Sequence, residues 1–141
     1  MKNAFFLFFS LLILSCIGQP ENKKTEKDFL LIIEGKWNLS DMKGFSKSDI
    51  KDLNNIPFIK IEENNISGTN GCNRFFSSIN SIDKNSITFS PFGETKMMCQ
   101  EMKIPDAFSL LVSSINTYLI ETNTLVFLNK DGDKILTFTK D

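Results

Sequence analysis

The sequence contains no histidine, and among its 141 residues it has one tryptophan, one tyrosine and three cysteines. Without histidine the chain lacks the usual general base near neutral pH and the commonest metal ligand. No Ser/His/Asp arrangement can therefore form, and the two cysteines beyond Cys16 fall short of the four ligands of a structural zinc site. No spacing singles out a pair of carboxylates. The sequence therefore predicts no catalytic, cofactor-binding or metal-binding residues.

The chain also has almost no net charge, since 16 basic residues nearly balance 17 acidic ones and the formal net charge is −1. Nonspecific binding of nucleic acid requires a basic surface, so we expect no nucleic-acid partner. What is abundant is phenylalanine, with 14 residues. These large apolar side chains suffice for a modest core, and the length suits one domain.

The N-terminus carries an apolar run from Ala4 to Leu14 after a short basic start. Spanning a bilayer takes roughly 20 apolar residues, so this run has instead the length of a signal-peptide h-region. It ends in Leu14-Ser15-Cys16, and a small residue directly before a cysteine resembles a bacterial lipobox. The sequence thus predicts a lipoprotein signal peptide, residues 1–15, with lipid attached to Cys16. The alternative is an ordinary secretory signal with a coincidental cysteine.

Residues 16–28 are polar, contain glycine and proline, and show no periodicity, which predicts a flexible tether to the membrane. The folded domain is then expected over residues 29–141. Residues 29–33 form an apolar run that is too short to decide between a strand and a helical turn. Ile17 follows Cys16 in place of the aspartate associated with inner-membrane retention, so by analogy we expect an anchor in the outer membrane of a bacterial envelope. We also expect the protein to be a monomer.

Short apolar segments separated by turn residues follow, which predicts a mostly β fold, an antiparallel sandwich or barrel. The expected strands are residues 37–40, 58–62, a strand from 66, 75–82, 86–90, 118–121, 124–129 and 134–140. Residues 41–56 are polar and are expected to form an excursion between strands. One α-helix is expected over residues 105–114, since Pro105 suits its first turn. Apolar residues recur there at helical spacing, namely Phe108, Leu111, Val112 and Ile115.

The most informative stretch runs from Ser67 to Phe75 and contains Gly68, Asn70-Gly71 and Cys72. Glycine takes positive φ without strain, and Asn-Gly is the strongest short signal for a type I′ hairpin turn. We therefore expect a tight corner between two strands, bent at both glycines, with Cys72 just past it.

Cys72 and Cys99 form an even pair once Cys16 is used for lipid. An exported chain folds in a compartment that permits disulfides, so the two residues could be bridged. The alternative is two buried free thiols, which are common as small core residues.

Polar residues flank the two cysteines: Asn73, Arg74, Thr95 and Lys96. One interpretation is a patch that binds an anionic or peptide ligand, with the guanidinium as a forked donor. The other is structural, in which Asn73 caps backbone groups at the corner and Arg74 pairs with Glu94 or Glu101. The nearby Met97, Met98 and Met102 could line an adaptable binding surface or fill the core or its rim.

Several motifs carry a resemblance to a known family. They are Trp37-Asn38-Leu39, Ile66-Ser67-Gly68, Gly71-Cys72-Asn73-Arg74-Phe75 and Thr95-Lys96-Met97-Met98-Cys99, followed by a helix with Phe108 and Leu111. Over residues 35–140 the chain resembles the META domain family of HslJ-like bacterial lipoproteins. It departs from the usual pattern at Lys96, where arginine is commoner, and at Gln100, where proline often follows the cysteine.

The resemblance implies an antiparallel, lipocalin-like partial barrel with a packed helix. It also implies an envelope lipoprotein linked to heat-shock or stress responses and to antibiotic tolerance, and no enzymatic activity. The leading hypothesis is thus a non-enzymatic envelope lipoprotein that binds a partner protein or supports envelope integrity. The alternative hypothesis is a binder of a small apolar ligand in the mouth of the barrel, lined by phenylalanines.

Overall fold

The computed structural model describes residues 24–141, so the predicted signal peptide, Cys16 and most of the predicted tether lie outside the described residues. The helices are α1 (Glu26–Ile33), α2 (Lys47–Lys51) and α3 (Lys103–Ser113). The strands are β1 (Gly35–Met42), β2 (Phe58–Glu62), β3 (Asn65–Thr69), β4 (Arg74–Ile82), β5 (Ile87–Phe89), β6 (Gly93–Glu94), β7 (Thr117–Glu121), β8 (Thr124–Leu128) and β9 (Lys134–Lys140). Within this part of the chain, no helix has the length and apolar character needed to cross a membrane.

The strands form one antiparallel sheet in the order β5-β4-β3-β2-β1-β9-β8-β7, with β6 paired to β4. The two ends of the sheet approach each other, because Ser86 forms a bridge with Thr117. Beside it, the backbone N–H of Tyr118 donates to the carbonyl of Asn85 at 2.8 Å. The sheet is therefore nearly closed into a barrel, which confirms the predicted mostly β, antiparallel barrel.

The interior of the barrel is filled by large side chains, among which Trp37, Phe108, Phe127 and Phe138 are fully buried. Burying a phenylalanine side chain contributes about 1.5–3 kcal/mol. The Phe108 ring comes from α3 and contacts the rings of Phe75 and Phe138, with centroids 5.8 and 6.2 Å apart. The helical spacing predicted for α3 is confirmed, since Phe108 and Val112 are among its buried side chains. Leu111 is partly buried, and Ile115 packs against the core just beyond the end of the helix.

The apolar run at residues 29–33 belongs to the helix α1, which begins three residues before it. A capping box starts this helix, because the carboxylate of Asp28 accepts hydrogen bonds from the backbone N–H and the hydroxyl of Thr25, at 2.7 and 2.9 Å. At its other end Ile33 is buried, and its carbonyl accepts a hydrogen bond from the indole of Trp37 at 2.8 Å. Residues 26–28, which the sequence assigned to the tether, therefore belong to the folded domain.

The expectation of a single helix is also corrected. The polar excursion contains the short helix α2, whose N-cap Ser46 exchanges hydrogen bonds with Asp49. Helix α3 begins at Lys103, two residues before the predicted start, and Pro105 still lies in its first turn. The two-residue strand β6 has no counterpart in the prediction, because an apolar alternation cannot be read from so few residues.

The predicted corner is a four-residue loop, residues 70–73, since Thr69 and Arg74 form the last pair between β3 and β4. Gly71 has a φ of +101°, as expected, but Asn70 does not have positive φ, so the turn is not of type I′. Gly68 lies in β3 and not in the bend. A Cβ atom there would lie 2.0 Å from the carbonyl oxygen of Phe58, so glycine is required by close packing.

Candidate functional site

A disulfide joins Cys72 to Cys99 and so links the loop at residues 70–73 to the segment before α3. Of the two alternatives that the sequence left open, the structure has the bridge. The bridge encloses the chain from β4 to the segment after β6, and thus holds the two sequence motifs against each other.

Asn73 fastens the same two motifs by hydrogen bonds. Its Oδ1 accepts from the backbone N–H of Met97 at 2.6 Å and from the hydroxyl of Thr95 at 3.0 Å, and its Nδ2 donates to the carbonyl of Met97 at 3.3 Å. The hydroxyl oxygen of Thr95 in turn accepts from the backbone N–H of Arg74 at 3.1 Å. Asn73 is buried, and its side-chain atoms are committed to the fold. Asn73 and Thr95 therefore belong to the scaffold of the predicted patch.

The side chain that caps the corner is Asn70, which the sequence reasoning did not single out. It is 1% exposed, and its Oδ1 accepts from the backbone N–H groups of Cys72 and Asn73 at 2.9 and 2.6 Å. Its Nδ2 donates to Glu94 Oε1 at 2.5 Å and to Ser109 Oγ at 3.0 Å. The tendency of asparagine to bond nearby backbone groups at turns was the available signal.

Arg74 and Lys96, the two cations of the predicted patch, are exposed. The expected pairing of Arg74 with Glu94 or Glu101 is not formed. Glu94 accepts hydrogen bonds from Asn70 and Ser109, and Glu101 accepts one from the backbone N–H of Lys103 at 2.8 Å. Within residues 24–141 the Arg74 guanidinium makes no ion pair, so the structure presents it to solvent.

An open trough of about 1270 Å³ lies over the outward face of β2, β3 and β4, and we call it the β2–β4 trough. The strand register places small side chains of β3 along its floor, between longer side chains of β2 and β4. The floor consists of Ser67 and Thr69, and the sides consist of Phe58, Lys60, Arg74 and Phe76. The loop at residues 53–56 and the side chain of Met97 extend the sides of the trough.

The β2–β4 trough combines apolar and cationic groups. Phe76 is 66% exposed and Met97 57% exposed, both large fractions for such side chains. The Phe76 ring lies over Gly93, where a Cβ atom would come within 2.6 Å of it. Lys60 and Arg74 are the charged residues of the lining, and among the described residues no aspartate or glutamate lines the trough. The arrangement can receive a chain that carries both apolar side chains and carboxylates.

A second, smaller cavity of about 430 Å³ lies between α3 and the β4–β6 side of the barrel, and we call it the α3 pocket. Its apolar wall consists of Phe75 from β4, Phe108 from α3 and Phe92 from the connection before β6, and hydroxyl and carboxyl groups lie at its rim. Its main lining residues are Phe75, Phe92, Phe108, Glu94, Asp106 and Ser109.

Carboxyl groups with a shifted pKa lie away from both cavities. Hydrogen bonds from the N-cap residues of α1 and α2 lower the pKa of Asp28 and Asp49. Hydrogen bonds from lysine ammonium groups lower the pKa of Asp133 and Asp141. These shifts arise from helix capping and surface ion pairs. Over residues 24–141, no group of three or more acidic or cysteine side chains is placed to hold a metal ion.

The fold is similar to that of several solved structures. One NMR structure superimposes with a TM-score of 0.62 at 19% identity, over 77% of this chain and 91% of that one. An NMR structure of a protein from Burkholderia xenovorans gives 0.61 at 17% identity, over 85% and 90%. A crystal structure of a DUF4847 family protein from Bacteroides vulgatus ATCC 8482 gives 0.57 at 14% identity, over 79% and 95%.

At these identities the likeness concerns the fold alone. No curated protein matches the sequence at a significant level. The family model of the META domain, in contrast, matches residues 30–141. This match covers the barrel, its helix α3 and both cysteine motifs, which confirms the resemblance to the META domain, and the chain belongs to the META domain family.

Proposed function

We propose that the protein is a non-enzymatic, HslJ-like lipoprotein of the bacterial envelope, and that its META domain binds a partner protein in the β2–β4 trough. The observation that carries the proposal is the pairing of exposed apolar side chains, Phe76 and Met97, with the cations Lys60 and Arg74 in one concave surface. Large exposed apolar groups of this kind mark interaction sites. The lipobox-like sequence that ends at Cys16 supports a lipid anchor, and Ile17 after it supports the outer membrane.

The size of the trough favours a polypeptide over a small molecule. Pockets for small ligands measure about 300–1000 Å³, and the trough measures about 1270 Å³. Its sides are β2 and β4, which lie about 10 Å apart, since each strand spacing is about 4.8 Å. An extended segment with its side chains has a similar width. We therefore propose an extended segment of the partner as the occupant.

The charges define the chemistry of that segment. Arg74 offers a planar fork of donors that matches a carboxylate. Lys60 lies on the opposite side of the trough, where its ammonium group forms an exposed ion pair with Glu62 at 2.7 Å. The hydroxyl group of Ser67 on the floor can bond the main chain of the segment, whereas the Thr69 hydroxyl already donates to the carbonyl of Asn73 at 2.9 Å and accepts from the backbone N–H of Gly71 at 3.1 Å. We expect the partner segment to carry acidic and apolar side chains. The trough binds as a preformed surface because the disulfide and Asn73 hold its wall in place.

The alternative hypothesis, a small apolar ligand inside the barrel, has less support. The interior is occupied by Trp37, Phe127 and Phe138, and α3 inserts Phe108 at one end. What remains at that end is the α3 pocket, whose rim carries carboxyl groups. A role in envelope integrity under stress would follow from which partner the trough binds.

Site-specific crosslinking in intact envelopes tests the proposal. A photoreactive residue is placed at Phe76 or Met97 and, as a control, at Leu119, which is exposed on β7 outside the trough. We expect one protein to be crosslinked from the two trough positions and not from Leu119. We also expect Arg74→Glu to abolish this crosslink and the matched charge reversal Lys130→Glu to leave it unchanged. Equal crosslinking from all three positions would refute a binding site in the trough.

A further inference from the structure

The α3 pocket has the size and walls of a small-molecule site that is separate from the trough. Its volume of about 430 Å³ falls in the range of ligand pockets. The rings of Phe92 and Phe108 lie 6.0 and 5.8 Å from the Phe75 ring between centroids, and Phe75 and Phe108 are buried beneath the pocket while Phe92 is half-buried. These three rings meet because β4, the connection before β6, and α3 converge at this end of the barrel.

The charged groups that line the α3 pocket are all negative. Glu94 and Asp106 lie at its rim, and no lysine or arginine is among its lining residues within the described part of the chain. The Glu94 carboxylate is held in a fixed position, because its Oε1 accepts hydrogen bonds from Asn70 at 2.5 Å and from Ser109 at 3.0 Å. Every hydrogen bond that the structure gives this carboxylate uses Oε1, so Oε2 retains its capacity to accept.

From this geometry we infer that the α3 pocket binds an organic ammonium ion with an apolar body. The apolar body packs against the side chains of Phe92 and Leu110, above the buried rings of Phe75 and Phe108. The ammonium group donates to Glu94 Oε2 and lies near Asp106, and a cation is further stabilised near the faces of aromatic rings. An anionic ligand of the same shape is repelled by the two carboxylates, so the charge of the head group decides binding.

Three probes with the same apolar body test the inference: 4-phenylbutylammonium, 4-phenylbutanol and 4-phenylbutyrate. The full chain in lipid nanodiscs is titrated with each probe by calorimetry, and empty nanodiscs serve as the blank. We expect the ammonium probe to bind at least tenfold more tightly than the alcohol or the carboxylate. Equal affinity for all three probes, or no binding of the ammonium probe above the blank, overturns the inference.

Glu94→Gln isolates the charge, since the amide oxygen still accepts the hydrogen bonds of Asn70 and Ser109. We expect this variant to lose at least fivefold in affinity for the ammonium probe while Trp37 fluorescence, which reports an intact core, is unchanged. Glu121→Gln removes the same charge at the end of β7, outside the pocket, and is expected to bind as the parent does. If both variants lose affinity equally, the effect is a general one of net charge and the site is refuted. These outcomes do not depend on crosslinking in the trough.

Discussion

Replacing Asn70 with alanine tests whether one buried side chain holds the corner of the candidate site. The substitution removes the acceptor of two backbone N–H groups, those of Cys72 and Asn73, and the donor to Glu94 and Ser109. Leaving a buried donor without a partner costs about 1–3 kcal/mol. Asn73 is buried and Cys72 is partly exposed, so water can satisfy one of the two donors more easily than the other. We expect a loss of about 2–4 kcal/mol in the free energy of unfolding.

Urea denaturation followed by Trp37 fluorescence measures this loss, since Trp37 is the single tryptophan and is fully buried. With a slope of about 2 kcal/mol per molar urea, the midpoint should fall by roughly 1–2 M. Asn54→Ala is the matched control, because Asn54 lies in an exposed loop, and its effect should stay within about 0.5 kcal/mol. A change below about 0.5 kcal/mol for Asn70→Ala would refute the role assigned to this side chain.

Three further predictions concern the disulfide, the packing of β3 and the titration of the single tyrosine. Replacing both Cys72 and Cys99, which are 27 residues apart, by serine should cost about 3.5 kcal/mol in urea denaturation, because the unfolded chain gains loop entropy. Gly68→Ala should cost at least about 2 kcal/mol in the same assay, because its Cβ would collide with the backbone of Phe58. Burial raises the pKa of Tyr118 above its usual value of 10.0, so its absorbance should titrate above that pH. Because the raised pKa favours the neutral form in the folded state, this contribution to stability is complete below pH 10 and is lost as the pH rises through the folded pKa.

Each of these predictions has a contradicting result. A serine double variant as stable as the parent would show that the bridge does not contribute to the free energy of unfolding. A tolerated Gly68→Ala would show that β2 and β3 can separate at little cost. A tyrosine that titrates at its ordinary pH would place the hydroxyl of Tyr118 in water and not on the carbonyl of Asp83.

The sequence predicted the elements whose burial alternates along a sufficient length of chain. Strand β4 has nine residues, and its buried positions Phe75, Ser77 and Ile79 follow a period of two, whereas the buried Ile82 follows a register shift after Ile79. Helix α3 was predicted because Phe108 and Val112 recur at helical spacing. Short elements could not be predicted in this way, because the two residues of β6 are too few to show a period.

The helix α1 shows where a local signal was available. Five apolar residues are compatible with strand or helix, but the spacing from Thr25 to Asp28 is that of a capping box. The box begins the helix in the polar segment before the apolar run, and this segment was taken as part of the tether.

The candidate site was predictable only in part, because its contacts join residues far apart in the sequence. Asn70 and Glu94 are 24 residues apart, and Asn70 and Ser109 are 39 apart. The sequence identified the two cysteine motifs. It did not show that Asn70 caps the corner and that Asn73 bonds the second motif, because these roles depend on contacts with distant residues. The exposure of Arg74 likewise depends on Glu94 being engaged elsewhere.

The most direct test of the account asks whether the domain works from a lipid anchor at Cys16. Cells are labelled with a fatty acid, the protein is isolated from membranes, and its mature N-terminal peptide is identified by mass spectrometry. We predict that label enters the parent chain, that the mature chain begins at an acylated Cys16, and that Cys16→Ala abolishes both. An unlabelled protein with a different, unmodified N-terminus in the soluble fraction would contradict the account.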